Sequence, residues 1–485
     1  MRTGGIHVNS PGHDGGMVMN IDDYLGHDAM GLAQRVAAGE VTASELVDAA
    51  IAVIEALNPS INAVIRKSYE RARAAAAVPS AGPLAGVPFL LKDVYLYSED
   101  MPTTWGSRYF RNAAPRPDSI MVERWRKAGL SILGKTNAPE FAAEFVTEPA
   151  AYGRTVNPWN AGLTVGGSSG GAAAAVASGM VPMAHATDLG GSIRVPAACC
   201  GLYGFKPTAG LNPCGPYFSE LAHGLNSDHV LTRSVRDSAA SLDVTSGGRY
   251  LAGLGEAPGR LRILATVHTA EGRPAGENQV AAVNRTVDLL RDLGHEVMLA
   301  DGPLLVGVGE WFDLLWIDDI PGLLAEETER TGIAPKQDDL EPMTWAALAP
   351  LRGRGEGALA EALRLRRETA RAHLSLFETC DILLTPSLAV DPAPLGTVSF
   401  NDFGSFEDWA EAGYGFAPFS ILANIAGQPA ASLPLPLSTC DIPVGVQIMG
   451  KPERDLQVLQ LSREIEDAVD WEAACAAMRR GLTKR

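Results

Sequence analysis

Apolar positions along the chain change period as they go. From Thr42 onward, Ile51, Ile54 and Leu57 recur at the three-residue spacing of one helix face. Thr42-Ala-Ser-Glu45 ahead of them is a capping box, and Asn58-Pro59 is the expected stop. The stretch Gly86-Val-Pro-Phe-Leu-Leu-Lys-Asp-Val94 is instead a continuous apolar run, bounded by glycine and proline before it and polar residues after it. Such a run predicts a short buried strand that carries Lys92 inward. Leu130-Ser-Ile-Leu133 is a second β-prone run, followed by turn chemistry at Thr136-Asn-Ala-Pro139. The alanine-rich segment from Gly171 to Gly179 predicts a tightly packed helix, and strands and helices alternate from there to Val244. The pattern is that of an α/β core.

The ends and the middle are less regular. Residues 1–20, rich in Gly, His and Asn, read as a disordered extension, with ordered chain from near Tyr24. Between Gly247 and Thr379, patches of Gly, Arg and Glu surround helices such as Leu359 to Leu376, whose charges predict solvated faces. The cluster Trp311, Phe312, Leu314, Leu315 and Trp316 there suits either a pocket wall or a core.

Charge narrows the function classes. Forty basic against 57 acidic residues leave a formal charge of −17, which argues against a phosphate-backbone partner. Six scattered cysteines form no disulfide framework, and no run approaches a membrane span. A cytoplasmic protein without nucleic-acid or membrane partners is the expectation, acting on a small molecule as a monomer or homodimer.

The chemistry-bearing segments are two glycine-framed serines, Gly166-Gly-Ser-Ser-Gly-Gly171 and Asp188-Leu-Gly-Gly-Ser-Ile-Arg194. A serine hydroxyl needs a proton acceptor within hydrogen-bond reach before it is a useful nucleophile. Lys92 is the expected acceptor, because burial favours its neutral amine. Ser192 is then the nucleophile, Ser168 a hydroxyl that relays the proton, and the amides of Leu189, Gly190, Gly191 and Ser192 an oxyanion hole.

These segments carry a family resemblance. Pro-Leu-Ala-Gly-Val-Pro-Phe-Leu-Leu-Lys-Asp, Leu133-Gly-Lys-Thr-Asn-Ala-Pro-Glu-Phe141, Asn157-Pro-Trp-Asn160, Val165-Gly-Gly-Ser-Ser-Gly-Gly171, Thr187-Asp-Leu-Gly-Gly-Ser-Ile-Arg194 and Gly204-Phe-Lys-Pro-Thr208 occur in order. Together they resemble the amidase signature family from about Thr42 to Trp471. The resemblance implies an α/β fold with a large mixed β-sheet covered by helices on both faces, in one domain over residues 21–485. It implies a Lys92, cis-Ser168, Ser192 triad and no cofactor or metal. It further implies bracing roles for Ser169, Asp188 and Arg194, late core strands at Cys380 to Pro386 and Pro443 to Gly450, and an active-site rim at Phe416 to Pro429. Phe141, Ala142, Gly166, Gly167, Tyr217, Phe218 and Trp316 are the substrate-binding candidates. Ala186, with His185 ahead of it, departs from the family's usual Gly-Thr-Asp without touching the triad.

Three motifs compete. Gly129 to Thr136 satisfies a phosphate-loop pattern, but its β-prone residues lie inside the motif instead of before it. Gly167-Ser-Ser169-Gly-Gly171 fits a nucleophile elbow, which would require a catalytic histidine and an esterase-leaning α/β-hydrolase. Cys199-Cys200 lacks the spacing of a zinc or redox site and reads as packing. The expected activity is therefore hydrolysis of amides, with aryl amides, cyclic amides and carbamates as substrate classes. The alternative is the amidase subunit of a transfer-RNA-dependent amidotransferase.

Overall fold

Eleven strands form one sheet, and their order in space is not their order in the chain. A computed structural model describes residues 19–78, 80–349, 355 and 357–483. The strands are β1 (Val64–Lys67), β2 (Pro88–Lys92), β3 (Ser131–Thr136), β4 (Met183–Asp188), β5 (Tyr203–Lys206), β6 (Ser227–Thr232), β7 (Arg262–Ala265), β8 (Glu296–Leu299), β9 (Ile382–Pro386), β10 (Ala430–Leu435) and β11 (Val444–Gly450). They lie in the order β1-β3-β2-β4-β6-β5-β10-β11-β9-β7-β8. Strands β3, β2 and β4 run parallel, as do β9, β7 and β8, and antiparallel pairs join the two parallel blocks.

Side-chain alternation explains why helices cover both faces. Along β9, Leu383 belongs to one apolar cluster while Ile382 and Leu384 belong to the other. Because successive strand residues point to opposite sides, a strand buried throughout needs a helical layer on each side. One layer includes the capped helix Ala43–Ile61 and the alanine-rich helix Gly170–Ala177; the other includes helices Val235–Ser246, Glu277–Asp292 and Asp455–Ala468.

Local expectations are met with two adjustments. The capping box at Thr42 and Glu45 is formed, but the helix passes through Pro59 and ends at Asn62, whose left-handed backbone (φ 56°) closes it. The Asn58 side chain takes the amides of Ala63 and Val64, so the stop is set three residues later than the Asn-Pro pair suggests. At the N-terminus, Met19 is buried and Asn20 caps the helix Ile21–Leu25, so packed chain begins before Tyr24. The expectation for residues 1–18 lies outside the described residues. Gly129 to Thr136 contains β3 itself, which is incompatible with a phosphate loop. Among the described residues no helix is long and apolar enough to cross a membrane.

Candidate active site

The site forms where parallel strands β2 and β4 end side by side. Phe89 pairs with Met183 and Leu90 with Ala184, so Lys92 at the end of β2 lies beside the end of β4. The carboxyl ends of parallel strands are the usual place for ligands in α/β sheets. Lys92 is fully buried, and its Nζ donates to Ser168 Oγ and to Thr187 Oγ1, each at 2.7 Å. Burial lowers its pKa to about 7, against the pull of Asp228 and Asp188, so the neutral amine is accessible at neutral pH.

Ser168 is presented by the turn that opens the helix Gly170–Ala177, after a cis Gly167–Ser168 peptide. Gly167 is required there because a side chain would collide with the Val146 backbone. Ser169 locks the turn onto β4: its Oγ donates to the Thr187 carbonyl and accepts the Thr187 amide, both at 3.2 Å.

Beyond β4 the chain turns through Leu189, Gly190 and Gly191 to Ser192. Gly191 has φ 136°, and a side chain on it would strike Ser420. Asp188 and Arg194 close this turn as a bidentate ion pair, with Arg194 Nη2 to Asp188 Oδ1 at 2.7 Å and Nε to Oδ2 at 2.9 Å. Burial opposes the Asp188 charge, yet Arg194 and the other partners hold its pKa down to about 2. The same guanidinium donates to the Ser420 carbonyl, Gln447 Oε1 and Asn424 Oδ1, while Asn424 donates back to Asp188. Ser420 Oγ donates to the Gly190 carbonyl at 2.5 Å. With that carbonyl turned away, the amides of residues 189–192 meet no protein acceptor among the described residues.

Ser192 lies in the wall of a small cavity of about 40 Å³. Phe141, Ala142, Leu189, Gly190 and Trp316 share that wall with Tyr95, Glu144, Phe145, Phe312, Trp409 and Tyr414. The remaining binding candidates lie elsewhere. Gly166 packs against Pro196 and Cys199, Gly167 against Val146, and Tyr217 and Phe218 sit on Tyr97 at 4.6 and 6.0 Å between ring centroids. Phe312 and Tyr414 also face an outer chamber of about 670 Å³, whose other walls include Glu271, Arg273, Glu310 and Glu411. Lys92, Ser168 and Thr187 are thus in direct contact, while no direct hydrogen bond joins Ser168 to Ser192.

His185 lies next to Lys92 but is held within the sheet. His185 Nδ1 accepts the Lys92 amide at 3.1 Å and Nε2 faces Asp228 at 3.2 Å, so both ring nitrogens are engaged within the sheet. Cys199 and Cys200 are buried thiols whose pKa burial pushes up, consistent with packing.

The family model described as Amidase matches residues 45–459. The chain belongs to the amidase signature family. Its activity class is hydrolysis of the carbon–nitrogen bond of amides. A 6-aminohexanoate-cyclic-dimer hydrolase from Pseudomonas sp. (strain NK87) is 35% identical over 93% of this chain and 96% of its own. The solved structure of 6-aminohexanoate cyclic dimer hydrolase complexed with substrate superposes with TM-score 0.87 at 33% identity, covering 93% of this chain and 98% of that one. A bacterial aryl acylamidase of the amidase signature enzymes follows at TM-score 0.82 and 26% identity, over 94% and 98% of the two chains. For this amidase, sequence reasoning passed over Thr187, Ser420, Asn424, Gln447 and the wall residues Tyr95, Glu144, Phe145, Trp409 and Tyr414. Thr187 stood inside a quoted motif, and the Phe416 to Pro429 rim contained Ser420 and Asn424. Gln447 stood in the Pro443 to Gly450 strand, and Tyr95, Glu144 and Phe145 follow closely on Lys92 and Phe141; Trp409 and Tyr414 are brought in by the return of a distant segment.

Proposed function

We propose that this amidase cleaves uncharged amides and carbamates through a seryl acyl-enzyme. The carrying observation is the buried Lys92 Nζ at 2.7 Å from Ser168 Oγ. As Ser192 Oγ attacks the carbonyl, its proton passes to Ser168 while the Ser168 proton passes to neutral Lys92. The negative oxygen of the tetrahedral intermediate is received by amides of the 189–192 turn, an arrangement worth a few kcal/mol in comparable sites. Lys92, now an ammonium, returns the proton through Ser168 to the departing nitrogen, and the amine leaves. Water then repeats the sequence on the acyl-enzyme. Thr187 holds Lys92, and Asp188 with Arg194 holds the turn.

The aromatic wall supports bulky aryl or alkyl groups beside the scissile bond, and the outer chamber gives a long substrate room to extend. Four carboxylates at that chamber, Glu271, Glu310, Asp313 and Glu411, against the one guanidinium of Arg273, disfavour anionic substrates. Aryl amides, cyclic amides and aryl carbamates are therefore the classes to test. The purified chain is mixed with a 4-nitroanilide, a primary aliphatic amide, a cyclic amide dimer, an ester and an aryl carbamate, alongside Ser192→Ala. Serine-dependent turnover of the anilide or carbamate by the single chain supports the reading. Failure on every member points to a partner-dependent subunit.

A further inference from the structure

Nearly every polar side chain in the wall of the Ser192 cavity is already paired within the protein. Trp409 Nε1 donates to the Val398 carbonyl at 3.1 Å, and Trp316 Nε1 to Asp313 Oδ1 at 3.2 Å and Tyr414 Oη at 3.3 Å. Tyr414 Oη itself donates to Asp313. Glu144 accepts the Phe400 amide and the Ser399 hydroxyl, and its remaining oxygen is sealed from solvent. Tyr95 differs. It lines the same cavity and is 6% exposed, yet its hydroxyl has no hydrogen-bond partner among the described residues and is not one of the sealed atoms. A phenol so deeply buried ordinarily finds a partner.

The backbone holds that hydroxyl against its own preferences. Tyr95 stands three residues beyond Lys92 with φ 61°, and the Leu96 amide donates to the Val94 carbonyl across it at 2.7 Å. That is the hydrogen bond of a γ-turn in its rare, positive-φ form. The turn is pinned on both sides. Asp93 Oδ1 accepts the Thr104 amide at 3.1 Å and faces Lys135 Nζ at 3.3 Å, while the Asp93 carbonyl accepts the Trp105 amide at 3.0 Å. The Trp105 ring meets the Tyr95 ring edge-on at 5.2 Å between centroids, and the Trp105 carbonyl accepts the Phe141 amide at 2.7 Å. Trp105, Phe141 and Ala142 are left-handed as well, with φ 57°, 52° and 58°. Residues other than glycine resist that conformation, and it persists where the surroundings enforce it, often at ligand sites.

A cavity of about 40 Å³ holds little more than the scissile group, since one water occupies about 30 Å³. In the acyl-enzyme reading the carbonyl oxygen of that group goes to the 189–192 amides, and the nitrogen receives the proton from Ser168. The atom left for Tyr95 is the one bonded to the carbonyl carbon on the acyl side. In an alkyl amide it is a carbon, which leaves the hydroxyl unpaired; in a carbamate it is an oxygen. Resting on that reading, we infer that Tyr95 is a specificity-determining residue whose hydroxyl donates to the alkoxy oxygen of a carbamate. The donation also draws on the lone pair that makes a carbamate carbonyl unreactive. A phenol is protonated at neutral pH in any case, and burial, with Asp319 and Asp228 nearby, raises its pKa further. When the carbon–nitrogen bond breaks and the amine departs, Ser192 carries a carbonate ester. Water releases it as an alkyl hydrogen carbonate, which loses carbon dioxide to leave the alcohol.

Three derivatives of 4-nitroaniline with one shape test this: the butanamide, the ethyl carbamate, and the 2-methoxyacetamide, whose oxygen stands one atom further out. For each, kcat/KM is measured from release of 4-nitroaniline by wild type, Tyr95→Phe and Tyr95→Leu. Tyr95→Phe keeps the ring and its contact with Trp105, and is expected to lower the carbamate-to-butanamide ratio about fivefold, as loss of one hydrogen bond would. The methoxyacetamide-to-butanamide ratio is expected to hold, and Tyr95→Leu to lower the carbamate ratio in the same direction. Because the hydroxyl has no partner in the protein, Tyr95→Phe is also expected to melt no lower than wild type. The proposal is overturned if Tyr95→Phe slows all three substrates equally, as a donor to the carbonyl oxygen or a structural role would. A shift of the methoxyacetamide ratio alone, a fall of several degrees in Tm, or a wild type that does not cleave the carbamate overturns it too. Hydrolysis persisting in Ser192→Ala would contradict the acyl-enzyme reading instead, and the Tyr95 ratios stand apart from that result.

Discussion

At the residue scale the proposed reaction needs one lysine whose pKa burial lowers to about 7. Because kcat/KM reports ionisation in the free enzyme, and the base form exists above its pKa, activity is expected to fall about tenfold per unit below pH 7 and to level off above pH 8. A profile flat from pH 5 to 9 with chemistry rate-limiting would contradict Lys92 as base. Lys92→Met and Ser168→Ala are each expected to lower kcat by about 10²–10⁴ without loss of fold, as removal of proton transfer does. Thr187→Val tests the residue that sequence reasoning passed over. Its hydroxyl accepts from Lys92 Nζ and so favours the ammonium; without it the acidic limb should move to lower pH and kcat should fall roughly tenfold. The grouping of Lys92 with Ser168 was legible because each sits in a short motif with marked neighbours. Glu144 was not, because a glutamate in a loop becomes a buried acid only when Phe400 and Glu341, more than 190 positions away, fold onto it.

At the element scale the turn of residues 189–192 is held from outside itself. Arg194 ties Asp188 to Ser420, Asn424 and Gln447, so strand β11 and the 420–424 segment fix the geometry of a turn far away in sequence. Arg194→Met would leave the buried Asp188 carboxylate unpaired, and a loss of about 3–5 kcal/mol is expected by urea denaturation. The capping box is a contrasting case: Thr42→Ala should cost about 1 kcal/mol and leave kcat unchanged. Both elements were visible as patterns. The exact end of the Ala43–Ile61 helix was not, because the Asn58 side chain, paired with residues after the helix, overrides the proline signal. Tyr217 and Phe218 stand outside the Ser192 cavity for a related reason: aromatic character is local, while the face on which a ring packs is set by Tyr97 and Trp105.

At the scale of the whole molecule the sheet binds both ends of the chain together. Strand β5 lies between β6 and β10, and β9 between β11 and β7, so no single cut in the sequence separates two complete sheets. The protein is accordingly expected to unfold in one calorimetric transition, and two resolved transitions would argue for separable domains. The α/β alternation was readable from apolar runs, whereas the pairing of β5 with β10, across more than 220 positions, leaves no mark on either strand alone. The central claim is that this sheet delivers Ser192 as the nucleophile of a covalent acyl-enzyme. Rapid quenching of a reaction with a slowly hydrolysed aryl amide or carbamate, followed by intact-mass and peptide mass spectrometry, tests it most directly. The account predicts an acyl adduct on Ser192 that is lost in Ser192→Ala and forms far more slowly in Lys92→Met. An adduct on another residue, or turnover with no adduct when chemistry before deacylation is fast, would contradict it.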